Sequence, residues 1–295
     1  MRVLHISDVH VTVPLASMPW HQMLNKRLIG AANLVLRRGH HFAAAREKLQ
    51  IMAQLAAEQN VDLVISTGDY TALGTDPELA AARAAIDCLT GRPRGFVTVP
   101  GNHDIYLPDV VRERRFERHF ADFLTSDLPE HCVDGPWPLV KLYDDVAVVA
   151  VNSARPNPAP WRSSGAIPDA QLSALAALSQ DERIRSRFVF VITHYAPRRA
   201  DATPDHKMHG LENADAFLDA CRGLPRAAIL HGHIHARFQV ALSGFATRLF
   251  GAGSATCEGR ESFWMYDVDG EHRRAVPGHF ERDRYVLDEP AAVSF

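Results

Sequence analysis

Five short apolar runs in this chain each stop at a turn that carries Asp, Asn or His. The turns are Asp8-Val9-His10, Gly68-Asp69, Gly101-Asn102-His103-Asp104, Thr193-His194 and Gly232-His233-Ile234-His235. Runs of this length, bounded by turn residues, predict buried strands. A sheet of such strands builds its ligand sites just beyond the strand ends. This layout restricts the fold more than any bulk property, because each strand must deliver a polar side chain to a shared rim. The third turn shows the device: Phe96-Val97-Thr98-Val99 leads in, and Gly101 lets the backbone turn so that Asn102 and His103 project. An amide oxygen is a hard neutral ligand for a divalent ion, and an adjacent imidazole can protonate a group bound to that ion. Together the turns offer seven metal ligands: Asp8, His10, Asp69, Asn102, His194, His233 and His235.

Between the turns the periodicity changes. Residues 2–6 alternate into the first turn, and from Ala43 to Asn60 the apolar Leu49, Met52, Leu55 and Ala56 recur at helical spacing. A strand over 63–66, a helix over 77–90 and a strand over 95–99 then complete a second βαβ unit, the pattern of a buried parallel sheet. Over 109–124, apolar Val110, Val111, Phe116, Phe120 and Phe123 are interleaved with Arg112, Arg114, Arg115 and Arg118, which predicts a helix with a solvated basic face. The second half predicts strands over 138–142 and 145–151, a helix over 169–180, a strand over 188–193, a helix over 212–222 and a strand over 227–230. Close-set Pro156, Pro158 and Pro160 exclude regular structure from the loop between Arg155 and Pro168. The tail from Arg237 to Val286 alternates in short pieces and carries no catalytic motif. No repeat or linker divides the chain, so one domain over 1–295 is expected.

The formal charge of −3 and 46% hydrophobic content exclude a disordered chain and a general polyanion binder, so no nucleic acid partner is expected. Cys88, Cys132, Cys221 and Cys257 form no C-x-x-C pair, which argues against a zinc knuckle or a disulfide framework and fits a reducing compartment. The N-terminus lacks a signal-peptide layout, no apolar run reaches transmembrane length, and a cytoplasmic protein is expected. Nucleophilic Ser or Cys catalysis, a Walker loop and a dinucleotide fingerprint find no motif.

The ordered blocks D-x-H, G-D, G-N-H-D, a lone His and G-H-x-H, which run from residue 1 to about 255, resemble the calcineurin-like metallophosphoesterase superfamily. The resemblance implies an α/β fold, a four-layer αββα sandwich in which two central mixed sheets are flanked by helices. It also implies two divalent ions. Asp8, His10, Asp69 and His235 would hold one; Asp69, Asn102, His194 and His233 would hold the other, with Asp69 shared. A donor set of carboxylate, amide and imidazole favours Mn²⁺, with Fe and Zn²⁺ as alternatives. Such a pair, about 4 Å apart, acidifies a bridging water for attack and neutralises phosphoryl oxygens. His103 would protonate the leaving oxygen, and Asp104 would orient its imidazole. Asn152 and Arg155 are candidate phosphate contacts, and Tyr195, in place of a second His common in this family, and His209 are candidate substrate contacts. His5 and His231 read as packed residues.

The reading of function is a metal-dependent hydrolase of a phosphodiester or pyrophosphate bond in a nucleotide-containing substrate. Two versions compete: a lipid-linked, UDP-diacylglucosamine-like substrate, and a soluble 3',5'-cyclic nucleotide. A non-catalytic scaffold of the same fold is the rival from another class, and the complete ligand set argues against it. The lipid version comes from residues 17–41, a basic amphipathic insert inside a stretch, 11–46, that contains no Asp or Glu. Trp20, Met23, Leu24, Leu28, Ala31, Leu34 and Val35 share a helical face with Arg27 and Arg38. This predicts a segment lying on an anionic inner membrane surface, with both arginines reaching up to lipid phosphates.

Overall fold

A strand covered on both faces has no polar side to show, so it reads as an unbroken apolar run. In the computed structural model, which describes residues 1–34, 39–159, 161–224, 226–242 and 248–295, such strands lie in two mixed sheets stacked between helices. The first sheet begins with β1 (Arg2–Ile6), β2 (Leu63–Ser66) and β3 (Phe96–Thr98). The chain then builds the second from β4 (Leu139–Leu142), β5 (Val146–Ala150), β6 (Phe188–Ile192), β7 (Ala227–His231), β8 (Arg237–Ala241) and β9 (Arg248–Ala252). It returns to the first with β10 (Ser262–Asp269), β11 (His272–Glu281), β12 (Arg284–Leu287) and β13 (Val293–Ser294). The orders are β12-β11-β10-β1-β2-β3, with β13 against β11, and β4-β5-β6-β7-β9-β8. β1 to β3 are mutually parallel, as are β5, β6, β7 and β9. The turns after β1, β2, β3, β6 and β7 therefore open on strand C-terminal ends.

The inner faces of the sheets share one apolar cluster, in which Tyr266 of β10 meets Phe190 of β6 and Phe250 of β9 at ring centroids of 5.3 and 5.2 Å. The helices are α1 (Trp20–Met23), α2 (Lys26–Asn33), α3 (Ala45–Glu58), α4 (Asp76–Thr90), α5 (Pro108–Arg112), α6 (Arg115–His119), α7 (Asp169–Leu178), α8 (Glu182–Arg185) and α9 (Ala214–Cys221). α3 and α4 cover the first sheet with Leu49, Met52, Leu79 and Ile86; α7 and α9 cover the second with Leu175, Phe217 and Leu218. This is the four-layer αββα arrangement. Thr75 and Glu78 form a capping box at the start of α4, as that pair of residue types three apart predicts.

Two sequence expectations fail here, both over arginines. The expected helix over 109–124 is broken between α5 and α6, where Arg114 takes a left-handed φ of 49°. Its basic face is not all solvated: Arg115 is buried, within 3.3 Å of Asp76, 3.0 Å of Asp109 and 2.8 Å of Glu113. Arg27 does not reach toward lipid. It is 0% exposed, pairs with both oxygens of Asp109 at 2.8 and 3.1 Å, and donates Nε to the Leu73 carbonyl at 2.8 Å. An arginine placed on an apolar helical face can lie there because it is buried against the protein, and the helical pattern alone does not separate the two cases. Val35 and Arg38 of the same segment lie outside the described residues.

Arg27→Met should therefore destabilise the fold by about 3 kcal/mol, since it orphans buried carbonyls and leaves Asp109 with one cation fewer. The urea midpoint would drop at constant m-value. An unchanged midpoint would show that Arg27 does not anchor the insert.

Candidate metal centre and its cleft

The loop after β2 runs through the interior as irregular backbone, so its amides need partners that no sheet or helix supplies. Two buried carboxylates provide them. Asp104 accepts the N–H groups of Asp69, Tyr70 and Thr71, and that of Gly101, at 2.8–3.0 Å. Glu78 accepts those of Ala72, Leu73 and Thr75 at 3.1–3.4 Å, and Gly74 N–H goes to Thr71 Oγ1 at 3.3 Å. Asp104 thus joins the G-D turn to the G-N-H-D turn. It does not orient His103, contrary to expectation: the His103 ring donates Nδ1–H to the Ala72 carbonyl at 2.7 Å. Gly101 is required where the two turns touch, because a Cβ there would lie 2.0 Å from Asp69 Oδ1.

The five turns bring all seven candidate ligands together. Asp8, His10, Asp69 and His235 place one donor atom each within 4.8 Å of one another and can hold a metal ion. His10 Nε2 lies 3.2 Å from His235 Nε2, 3.8 Å from Asp8 Oδ1 and 3.9 Å from Asp69 Oδ2. His10 spends its Nδ1–H on the Thr71 carbonyl at 2.9 Å, so its Nε2 faces inward as a lone pair. Asp8 Oδ1, 3.0 Å from His235 Nε2, is buried with no aligned hydrogen-bond donor. Buried acceptors do not crowd together without a cation.

The second group repeats this logic around Asn102. Its Oδ1 lies 3.1 Å from His194 Nε2 and 2.9 Å from His233 Nδ1. Both rings spend their other N–H on backbone carbonyls, His194 on Thr67 at 2.7 Å and His233 on His209 at 3.0 Å, which orients each imidazole with its lone pair inward. Asp69 Oδ2 is 3.4 Å from His194 Nε2. The other oxygen, Asp69 Oδ1, accepts the His103 N–H at 2.8 Å, which leaves Oδ2 facing both groups.

Charge follows geometry. Burial lowers His10 to about 3. Burial also works to lower His194 and His235, but the Asp69 charge holds His194 up at about 9 and the Asp8 charge holds His235 up at about 10. The same imidazoles help keep Asp8 and Asp69 ionised well below the usual carboxylate range, although burial opposes it. Without an ion, the protons of His194 and His235 meet the charges of Asp69 and Asp8; an ion held there would displace those protons and leave the Nε2 lone pairs facing it.

The site opens into a cleft of about 460 Å³. His103 and His209 line it, with Lys26, Phe42, Tyr106, Asn157, Arg162 and Arg260. Sequence reading missed these last six because they come from α2, from irregular loops and from the tail, none of which carries a motif. The other predicted substrate contacts lie elsewhere. Asn152 and Arg155 line a separate depression, Asn152 capping a local turn at Ala154 N and Arg155 pairing with Glu212. Tyr195 is buried beneath His233, ring centroids 4.2 Å apart, with its hydroxyl donating to the Ser163 carbonyl at 2.8 Å. His209 pairs with Asp205 at 2.8 Å. His5 and His231 are buried, as expected.

A dimetal phosphatase from Danio rerio has a similar structure, with a TM-score of 0.62 at 15% identity, covering 97% of this chain and 98% of that one. A purple acid phosphatase from yellow lupin (Lupinus luteus) seeds also gives 0.62, at 10% identity, with 99% of this chain on 53% of that one. At such identities the likeness is one of fold. No curated protein matches the sequence. The calcineurin-like phosphoesterase profile matches residues 1–237, which include all seven candidate ligands, and the chain belongs to the calcineurin-like phosphoesterase family.

Proposed function

We propose that this protein hydrolyses a phosphodiester or pyrophosphate bond in a nucleotide-containing substrate, using two divalent ions. Asp8, His10, Asp69 and His235 hold one ion, and Asp69, Asn102, His194 and His233 the other. The observation that carries this reading is the pair of inward-facing acceptor groups meeting at Asp69 Oδ2. Ions held there supply an acidified water and neutralise phosphoryl oxygens. The donor set contains no thiolate and suits Mn²⁺, with Fe and Zn²⁺ as alternatives. His103, anchored through Nδ1 to Ala72, lines the cleft and, when protonated, donates to the departing oxygen. The cleft volume suits a ligand of mononucleotide size, and Phe42 and Tyr106 supply an aromatic wall.

The lipid-linked version of the substrate has one feature in its favour. Trp20, Leu24, Leu28 and Ile29 are 75, 72, 60 and 51% exposed, on the insert whose Lys26, Gly30 and Asn33 line the cleft. An apolar ridge beside the site suits acyl chains or an anionic membrane surface. Among the described residues no helix is long and apolar enough to cross a membrane, so attachment would be peripheral.

Activity should require two divalent ions per chain, and chelation should lower the melting temperature, because ions that bind only the folded state stabilise it. Asp69→Asn should abolish hydrolysis while keeping the far-ultraviolet circular dichroism of the wild type. Full activity in a metal-free preparation would defeat the assignment.

For His103→Ala, kcat should fall by roughly 10² to 10⁴ with both metals retained. The loss should be smaller for p-nitrophenyl esters, whose leaving group needs no proton, than for alkyl esters. Equal losses would make His103 an electrostatic group, and lost metal would make it a ligand.

The wild type should co-sediment with phosphatidylglycerol vesicles at low salt, and Trp20→Ala combined with Leu24→Ala should reduce that binding. A wild type that ignores vesicles and prefers cyclic AMP would leave the soluble-nucleotide version standing.

A further inference from the structure

Among the described residues, one lysine and two arginines line the cleft, and two of these three are already engaged. Lys26 Nζ donates to the carbonyls of Asn157 at 2.7 Å and Arg162 at 3.3 Å, and lies 4.8 Å from the Tyr106 ring centroid. It ties the insert to the Pro-rich loop across the cleft. Arg162 pairs with Glu212 and donates Nε–H to Ser164 Oγ at 2.9 Å. Arg260 differs: among the described residues no acceptor meets its guanidinium, and it too lines the cleft.

Arg260 is exposed at the rim of the cleft, on a loop, 254–261, whose backbone is tied down on three sides. Ser254 Oγ donates to the Asp8 carbonyl at 2.7 Å, Thr256 Oγ1 to the Val9 carbonyl at 2.5 Å, and Ala255 N to the Ser7 carbonyl at 2.7 Å. These bonds fasten the loop to the turn that carries Asp8 and His10. Lys48 of α3 reaches the Thr256 carbonyl at 3.1 Å and Glu261 at 2.5 Å in a nearly buried pair. On the insert side, Glu258 N donates to the His41 carbonyl at 3.0 Å. Gly259, at φ +78°, then makes the turn that precedes Arg260. The loop thus fixes where Arg260 leaves the backbone beside the metal-site turn, and leaves its guanidinium open, among the described residues, to an anion in the cleft.

We infer that Arg260 binds a second anionic group of the substrate, the phosphoryl group across the scissile bond of a pyrophosphate linkage. The inference rests on the phosphohydrolase reading and narrows it. A phosphodiester, cyclic nucleotides included, carries one negative charge at its phosphate, and the two-ion centre takes it. A pyrophosphate diester carries two, and the second needs a cation that is neither paired nor part of the centre. Arg260 fits that requirement, and it lies beyond the residues matched by the family profile.

The test compares methylenediphosphonate, which has two anionic groups and resists hydrolysis, with inorganic phosphate. Binding is measured by calorimetry to Mn²⁺-loaded wild type, Arg260→Gln and Arg260→Lys. The wild type should bind the diphosphonate at least about 10-fold more tightly than phosphate, the scale of one charge-assisted contact. Arg260→Gln should shrink that preference to about twofold or less, and Arg260→Lys should retain part of it. In parallel, Arg260→Gln should lower the ratio of kcat/KM for a nucleotide pyrophosphate diester over bis-p-nitrophenyl phosphate by about 10-fold. An undiminished diphosphonate preference in Arg260→Gln would overturn the inference. A wild type that binds the diphosphonate through Arg260 but hydrolyses neither ester would overturn the proposed reaction instead.

Discussion

The structure depends on how one buried loop, residues 67–75, satisfies its backbone. Its N–H groups from Asp69 to Thr75 go to Asp104, Glu78 and Thr71 Oγ1. Its carbonyls do the positioning. Thr67, Thr71 and Ala72 accept the Nδ1–H groups of His194, His10 and His103. Gly68, Asp69 and Tyr70 accept the N–H groups of Asp8, His10 and Val11. Leu73 and Gly74 accept from Arg27, and Gly74 also from Arg115. One stretch of backbone therefore orients three imidazoles, docks the D-x-H turn and anchors the insert, because every orphan amide or carbonyl in it would cost about 1–3 kcal/mol.

Bringing ligands from five turns to a common point strains the backbone. Asp8, His10, Asp69, His233 and His235 all have left-handed φ values between 46° and 69°, a region that costs a residue with a Cβ about 1 kcal/mol or more. Strain concentrated on candidate ligands persists because the surroundings over-determine the backbone: Asp8 Oδ2 accepts His233 N–H at 3.1 Å, and Asp69 Oδ1 accepts His103 N–H. At Gly232, just before His233, a Cβ would lie 1.8 Å from Ser7 Oγ, so this position admits no other residue without a shift.

Electrostatics and the insert complete the site from opposite sides. Ionised Asp8 and Asp69, buried against imidazoles, make a region that accepts positive charge. The insert brings Lys26 over the cleft and uses Arg27 to hold itself down, which leaves its outer face, with Trp20 and Leu24, apolar and exposed. Of its two short helices, α2 thus lines the cleft and anchors to the end of the 67–75 loop, and α1 and α2 together present an apolar surface.

Local sequence determined the strands, the turns that end them and the residue types at those turns, because a doubly covered strand and its breaker are written in consecutive residues. That was enough to nominate seven ligands, which the structure then brings together, and to show the family resemblance, which in turn implied the αββα layers. What a side chain does with its far end was decided by tertiary contact. Asp104, next to His103 in sequence, serves amides more than thirty positions away; Arg27, on an apolar stripe, finds its counter-ion at Asp109. Asn152 and Arg155 follow a strand end, as the ligands do, yet line another depression. The tail, which carries no motif, supplies Ser254 and Thr256 to the metal-site turn and Arg260 to the cleft, because the long-range pairings of β9 with β7 and of β10 with β1 set their register.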